Sequence, residues 1–141
     1  MSNYQANEPP RIFPTFRYRD AGKMIEWLVE AFGFTVHAKH ADETGTVHHA
    51  ELAYGSSIIM LGEARNDEYG AMVGTSGEPG GKSTYIAVDD VDALYARAKA
   101  AGATIEEPPV DRPYGSREFI CRDPQGNVWS FGTYWPKLNK E

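Results

Sequence analysis

Cysteine is almost missing. The 141-residue chain has one, Cys121, so no internal disulfide can form, and a lone thiol in an apolar run reads as a core residue in a reducing compartment. Positive charge is also scarce: 14 Lys and Arg against 20 Asp and Glu leave a net charge of −6. That balance argues against nucleic acid and anionic membrane as partners, because both need a basic face. Long apolar runs are absent too, none approaching the roughly 20 residues that cross a bilayer, and the first ten residues lack the basic and apolar regions of a signal peptide. The expectation is a cytoplasmic protein with no nucleic-acid and no membrane partner. What is present is a core-forming composition, 41% hydrophobic and 12% aromatic, at a length that suits one domain or two joined halves.

In chain order, residues 11–18 read as a strand. Asp20 caps a helix whose Ile25, Leu28, Val29 and Phe32 recur at helical spacing, and Gly33 ends it. Strands follow at 34–41, 46–54 and 58–61. Residues 64–81 hold five glycines and no sustained periodicity, so they read as a linker. Gly80-Gly81-Lys82-Ser83 mimics the end of a phosphate-binding loop, but position 76 is Ser and a strand follows where that motif needs a helix. The pattern then repeats: strand 83–88, a helix capped by Asp90 with Val91, Leu94, Tyr95, Ala98 and Ala101 on its apolar face, and strands at 104–110, 117–121 and 128–134. An offset of 70 relates Tyr18 to Val88, Asp20 to Asp90 and Met60 to Ser130. The fold class is therefore α+β, two tandem βαβββ modules. The expected boundaries are an N-terminal arm (1–10), a first module (11–63), a Gly-rich linker (64–81), a second module (82–135) and a tail (136–141).

The densest stretch is RPYGSREFICRDPQGNVWSFGTY, residues 112–134. It reads as a β-hairpin turning on Asp123-Pro124-Gln125-Gly126-Asn127, where Pro breaks the ladder and Gly supplies a positive φ. This hairpin, the D…G helix frames and the duplicated order together resemble the vicinal oxygen chelate superfamily, the glyoxalase I, bleomycin-resistance and extradiol-dioxygenase proteins. The usual turn there is DPDGN followed by a carboxylate. Here Gln125 replaces the Asp, and Ser130 stands at the carboxylate's place. The resemblance implies curved mixed sheets forming a cup with the helices outside, and pairing into a homodimer.

In that family the catalytic members hold a divalent metal in the cup, on ligands from four strands. The matching positions here are Phe13, Met60, Ser83 and Ser130, a set poor in metal donors, so the expectation is no metal and no cofactor. Strand alternation places Thr15, Arg17, Ile58, Gly62, Tyr85, Ala87, Val128 and Gly132 on the same face as that set. The other face carries Phe16, Tyr18, Ile59, Leu61, Ile86, Val88, Trp129 and Phe131 and suits packing under helices. The expected ligand-binding residues are Phe13, Thr15, Arg17, Met60, Ser83, Tyr85 and Ser130, with Tyr114 near the cup mouth. Arg17, the one cation of the set, calls for an apolar or aromatic ligand with an acidic or carbonyl end. His49 and Glu51 share a strand face and form a weak catalytic candidate, set against a plain hydrogen-bonded pair. His37 and His40 read as surface residues on opposite faces, Trp27 as core, and Arg117 as either an anion ligand or an ion-pair partner of Glu118 or Glu51. The leading functional reading is a metal-free, bleomycin-resistance-like binder of a small organic molecule, leaning away from an enzyme. Two alternatives stand beside it: a metal-dependent lyase, isomerase or dioxygenase with displaced ligands, and a ligand-free scaffold domain.

Overall fold

A computed structural model describes residues 8–137. The elements run β1 (Thr15–Tyr18), α1 (Ala21–Phe32), β2 (Thr35–Ala41), β3 (Val47–Tyr54), β4 (Ser57–Glu63), α2 (Glu68–Val73), β5 (Thr84–Ala87), α3 (Val91–Ala100), β6 (Thr104–Asp111), β7 (Arg117–Arg122) and β8 (Val128–Gly132). They form two four-stranded mixed sheets of identical plan, β1-β4-β3-β2 and β5-β8-β7-β6. The duplication extends to register. Thr15 lies beside Met60 in the parallel pair β1–β4, and Tyr85 beside Ser130 in the parallel pair β5–β8.

Two details depart from the sequence reading. Residues 11–14 stay outside β1, although the Pro14 carbonyl accepts from Met60 N at 2.9 Å. The segment read as an aperiodic linker contains a helix, α2, capped by the Asp67 carboxylate on Gly70 N at 2.7 Å. Six residues give less than two turns, too few for periodicity to register.

The α1 start is held from two sides. Asp20 sits at φ 52 and accepts from Lys23 N at 3.4 Å. Glu63, at the end of β4, accepts from the backbone N–H groups of Asp20 and Ala21, both at 2.9 Å. A carboxylate there satisfies otherwise orphaned donors and opposes the positive helix end. At the other end, Arg97 of α3 donates to the carbonyls of Glu30 (2.7 Å) and Val29 (3.1 Å), and Trp27 Nε1 donates to the Ala101 carbonyl at 2.7 Å. The two modules thus lock through their helices.

The two modules also share one core. Phe16 of β1 stacks on Trp129 of β8 with centroids 5.2 Å apart, and Phe32 of α1 meets Phe131 at 4.8 Å. Tyr18, Leu28, Phe32, Phe119, Trp129 and Phe131 are fully buried. The face assigned to helix packing is that face: Tyr18, Ile59, Leu61, Val88, Trp129 and Phe131 are buried, with Phe16 and Ile86 packed against them. Cys121 is buried in the same layer. Burial, then the charge of Asp123, pushes its thiol up to about 12.

The Asp123 turn is the second lock. Its carboxylate, 2% exposed, accepts from Tyr18 Oη at 2.7 Å, from Trp129 Nε1 at 3.1 Å, and from the backbone N of Gln125 and Asn127 at 2.9 and 3.1 Å. Burial comes first, then the Asp123 charge, in raising the Tyr18 phenol well above its ordinary value. Gln125 grips the backbone of Arg19, its Oε1 accepting from Arg19 N at 3.0 Å and its Nε2 donating to Arg19 O. An Asp at that position has no N–H to give.

Candidate functional site

A cleft of about 710 Å³ opens where β1 and β5, one from each module, approach each other. Phe13, Pro14, Thr15, Phe16 and Arg17 form one wall, and Ser83, Thr84 and Tyr85 the other. Segment 72–78 covers it with Met72 and Val73 from the end of α2, and Asn127 and Val128 close the back. Five of the residues expected to bind ligand therefore line one cavity: Phe13, Thr15, Arg17, Ser83 and Tyr85. Met60 and Ser130 are not part of the lining, but each is the register partner of a residue that is. Tyr114 lies elsewhere, 64% exposed on the β6–β7 turn. Met72, Val73 and a second cation, Lys82, come from the stretch read as linker and the residue after it.

Arg17 is not free. Its Nε donates to the Glu63 carbonyl at 3.0 Å, its Nη2 to Asp67 Oδ2 at 3.3 Å, and its guanidinium lies 5.0 Å from the Tyr69 ring centroid. The side chain is 17% exposed. It fastens α2 over the cleft, and an anion entering there meets a cation already shared with Asp67.

The histidines sit on the adjoining strands of module 1. His49 Nε2 is 2.9 Å from Glu51 Oε2, and Glu51 stands beside Met60 in the β3–β4 register. The sequence reading put His37 and His40 on opposite faces. Instead a bulge between Val36 and Ala38 breaks the alternation, because an extra residue turns the strand. His37 Nε2 then lies 3.9 Å from Glu51 Oε1, and the His40 ring stacks on His49 at 6.1 Å. The hydrogen bond from His49 holds the Glu51 carboxyl below the usual range against its partial burial, helped by the charges of His49, His37 and His40. Arg117 pairs with Asp92 (3.0 Å) and Asp111 (3.1 Å) and with neither carboxylate expected for it.

Glu118 was missed as a facing residue. It pairs with Gly132 across β7–β8, two residues from Ile120, the partner of Ser130. Alternation carried along β7 from Ser130 would have found it.

The four positions at which the resemblance implies a metal do not fit one here. Phe13 has no donor, Met60 offers a thioether suited to soft ions, and Ser83 and Ser130 offer neutral hydroxyls. Among the described residues no group of three or more His, Cys, Asp or Glu is arranged to hold a metal ion. Among the same residues no helix is long and apolar enough to cross a membrane.

Two duplicated βαβββ modules with a cleft between their first strands define a class of protein. The family model for the Glyoxalase/Bleomycin resistance protein/Dioxygenase superfamily matches residues 13–131, and the chain belongs to that superfamily. An uncharacterized protein of Mycobacterium bovis is 30% identical over 96% of this chain and 90% of its own length. The crystal structure of TioX from Micromonospora sp. ML1 has a TM-score of 0.71 at 30% identity, covering 89% of this chain and 99% of that one. TnmS3 from Streptomyces sp. CB03234, described as an antibiotic binding protein, has a TM-score of 0.60 at 24% identity, covering 83% and 88%.

Proposed function

We propose that this chain binds a small organic molecule, apolar or aromatic with an acidic or carbonyl end, in the β1–β5 cleft and without a metal ion. The observation that carries the reading is the lining itself. Phe13, Phe16, Met72, Val73 and Tyr85 offer apolar surface, while Thr15, Ser83, Asn127, Arg17 and Lys82 converge as polar groups. Glu78, Thr75, Ser76 and Thr84 add to that polar side, so the lining is mixed, with one carboxylate beside the two cations. A cleft of several hundred Å³ between modules with polar groups placed among apolar ones is a common form of small-molecule site. Superfamily membership supports it, as does a structural neighbour described as binding an antibiotic. We place the protein in the cytoplasm as a homodimer, for which the unpaired sheet edges β2 and β6 give the physical motive.

The test is a thermal-shift and tryptophan-fluorescence screen of carboxylated aromatics. A ligand at a hundred times its Kd adds about 2.7 kcal/mol of stability. An Arg17→Met variant should fold and lose roughly 1.5–3 kcal/mol of that binding. Hits that bind wild type and variant alike would remove the acidic end from the proposal, and a screen with no hit at all would remove the proposal.

A further inference from the structure

Arg17 reaches the cleft with part of its hydrogen bonding already committed. A guanidinium carries five N–H donors. Nε donates to the Glu63 carbonyl at 3.0 Å and Nη2 to Asp67 Oδ2 at 3.3 Å, and the Tyr69 ring lies 5.0 Å from the guanidinium. Among the described residues Nη1 has no acceptor, and the side chain, 17% exposed, lines the cavity. Donors therefore remain for a group in the cleft, while the charge behind them is already opposed by Asp67. That carboxylate is fixed from its other side, its Oδ1 accepting from Gly70 N at 2.7 Å. The Gly70 bond first, then Arg17, holds the Asp67 carboxyl below the usual range against partial desolvation, and the charge of Arg65 adds to the effect. The group is ionised at neutral pH and cannot leave Arg17 freely without giving up the cap of α2. The lining's second cation, Lys82, shares the cavity with the carboxylate of Glu78.

Two kinds of ligand end meet this arrangement differently. A carboxylate at Arg17 would bring a second negative charge to a guanidinium that Asp67 already holds, and the two carboxylates would repel each other at short range. A neutral carbonyl oxygen accepts from the remaining N–H groups and brings no charge, so Asp67 can stay where it is. The two ends have nearly the same shape, and the charge of Asp67 is what separates them. We propose that Asp67 is a specificity-determining residue of the cleft, and that it makes the site prefer a ligand with a neutral carbonyl end, an amide, ester or ketone, over the carboxylic acid of the same skeleton. This inference rests on the reading of the β1–β5 cleft as a small-molecule site and narrows it.

The probes are 2-naphthamide and 2-naphthoate, nearly equal in shape and different in charge. Each is titrated into 15N-labelled protein at neutral pH and constant ionic strength, and followed at the amides of Thr15, Arg17, Ser83 and Tyr85. Wild type should bind the amide more tightly than the acid, by about fivefold or more. Asp67→Asn removes the charge and keeps a cap for Gly70 N, since Asn caps a helix as well as Asp does. That variant should bind 2-naphthoate about fivefold tighter than wild type does and leave 2-naphthamide unchanged. Binding of both probes at the cleft with no dependence on Asp67 would overturn the proposal and leave the reading of the cleft in place. Wild type binding the acid as tightly as the amide, or more so, would do the same. No shift from either probe in either protein would count against both. The wild-type ratio decides alone if Asp67→Asn fails to fold.

Discussion

Replacing Asp123 by alanine tests the account of how the two modules hold together. The substitution removes one carboxylate and leaves two donors, Tyr18 Oη and Trp129 Nε1, on side chains that are fully buried. Each stranded donor costs about 1–3 kcal/mol, and loss of the turn's own bonds to Gln125 N and Asn127 N adds about 1 kcal/mol. The expected destabilisation is about 3–7 kcal/mol, a large part of the roughly 5–15 kcal/mol by which domains are stable. Tyr18→Phe alone removes one bond to a charged acceptor and should cost roughly 1.5–3 kcal/mol. In the Asp123→Ala background the same change should cost little, since the phenol no longer has its partner. The measurement is urea unfolding of wild type, both single variants and the double variant, comparing midpoints at constant m. The reasoning is refuted if Asp123→Ala costs less than about 1 kcal/mol, or if the two changes add independently.

Other outcomes follow from the same geometry. Gln125→Asp, which restores the turn usual in the superfamily, should cost about 1 kcal/mol, because the carboxylate cannot donate to Arg19 O; a gain in unfolding midpoint would contradict this. Cys121, raised to about 12 by burial, should resist iodoacetamide at pH 8 in the native state and react at once in urea, as mass spectrometry would record. Glu51, Asp67 and Glu118 are all held below the ordinary carboxylate range. Their contribution is present above the unfolded value and is lost as pH falls through the folded one, so the melting temperature should decline below about pH 4.5; a flat profile down to pH 3 would rule it out. EDTA should leave the melting temperature unchanged, and a drop of several degrees would place a metal in the fold.

Much of this architecture could be read from residues because its signals were local and repeated. Asp20 and Gly33 mark α1 by chemistry that operates within one turn, and the offset of 70 makes one module predict the other. Alternation separated the core face from the open face correctly for Phe16 through Phe131 because β1, β4, β5 and β8 run without bulges. It failed at His37 because a bulge leaves no mark in composition. Arg17 looked available for a ligand because its partners are Asp67, which caps α2, and Tyr69 within it, and that helix is too short and too glycine-bearing to be noticed. Met72 and Val73 escaped for the same reason. Glu118 was within reach of the alternation rule and was overlooked because its neighbour Arg117 suggested a surface ion pair.

The bond between Tyr18 and Asp123 joins residues 105 positions apart. On a ribosome adding about 5–20 residues per second, Tyr18 emerges roughly 5–20 seconds before its acceptor. During that interval Phe16, Tyr18 and Phe32 have no Trp129 or Phe131 to pack against, and α1 has no Arg97 at its C-terminal carbonyls. The first module therefore waits as a nascent chain with its aromatic face uncovered. How long that face stays open is set by the time needed to synthesise the second copy of its own plan.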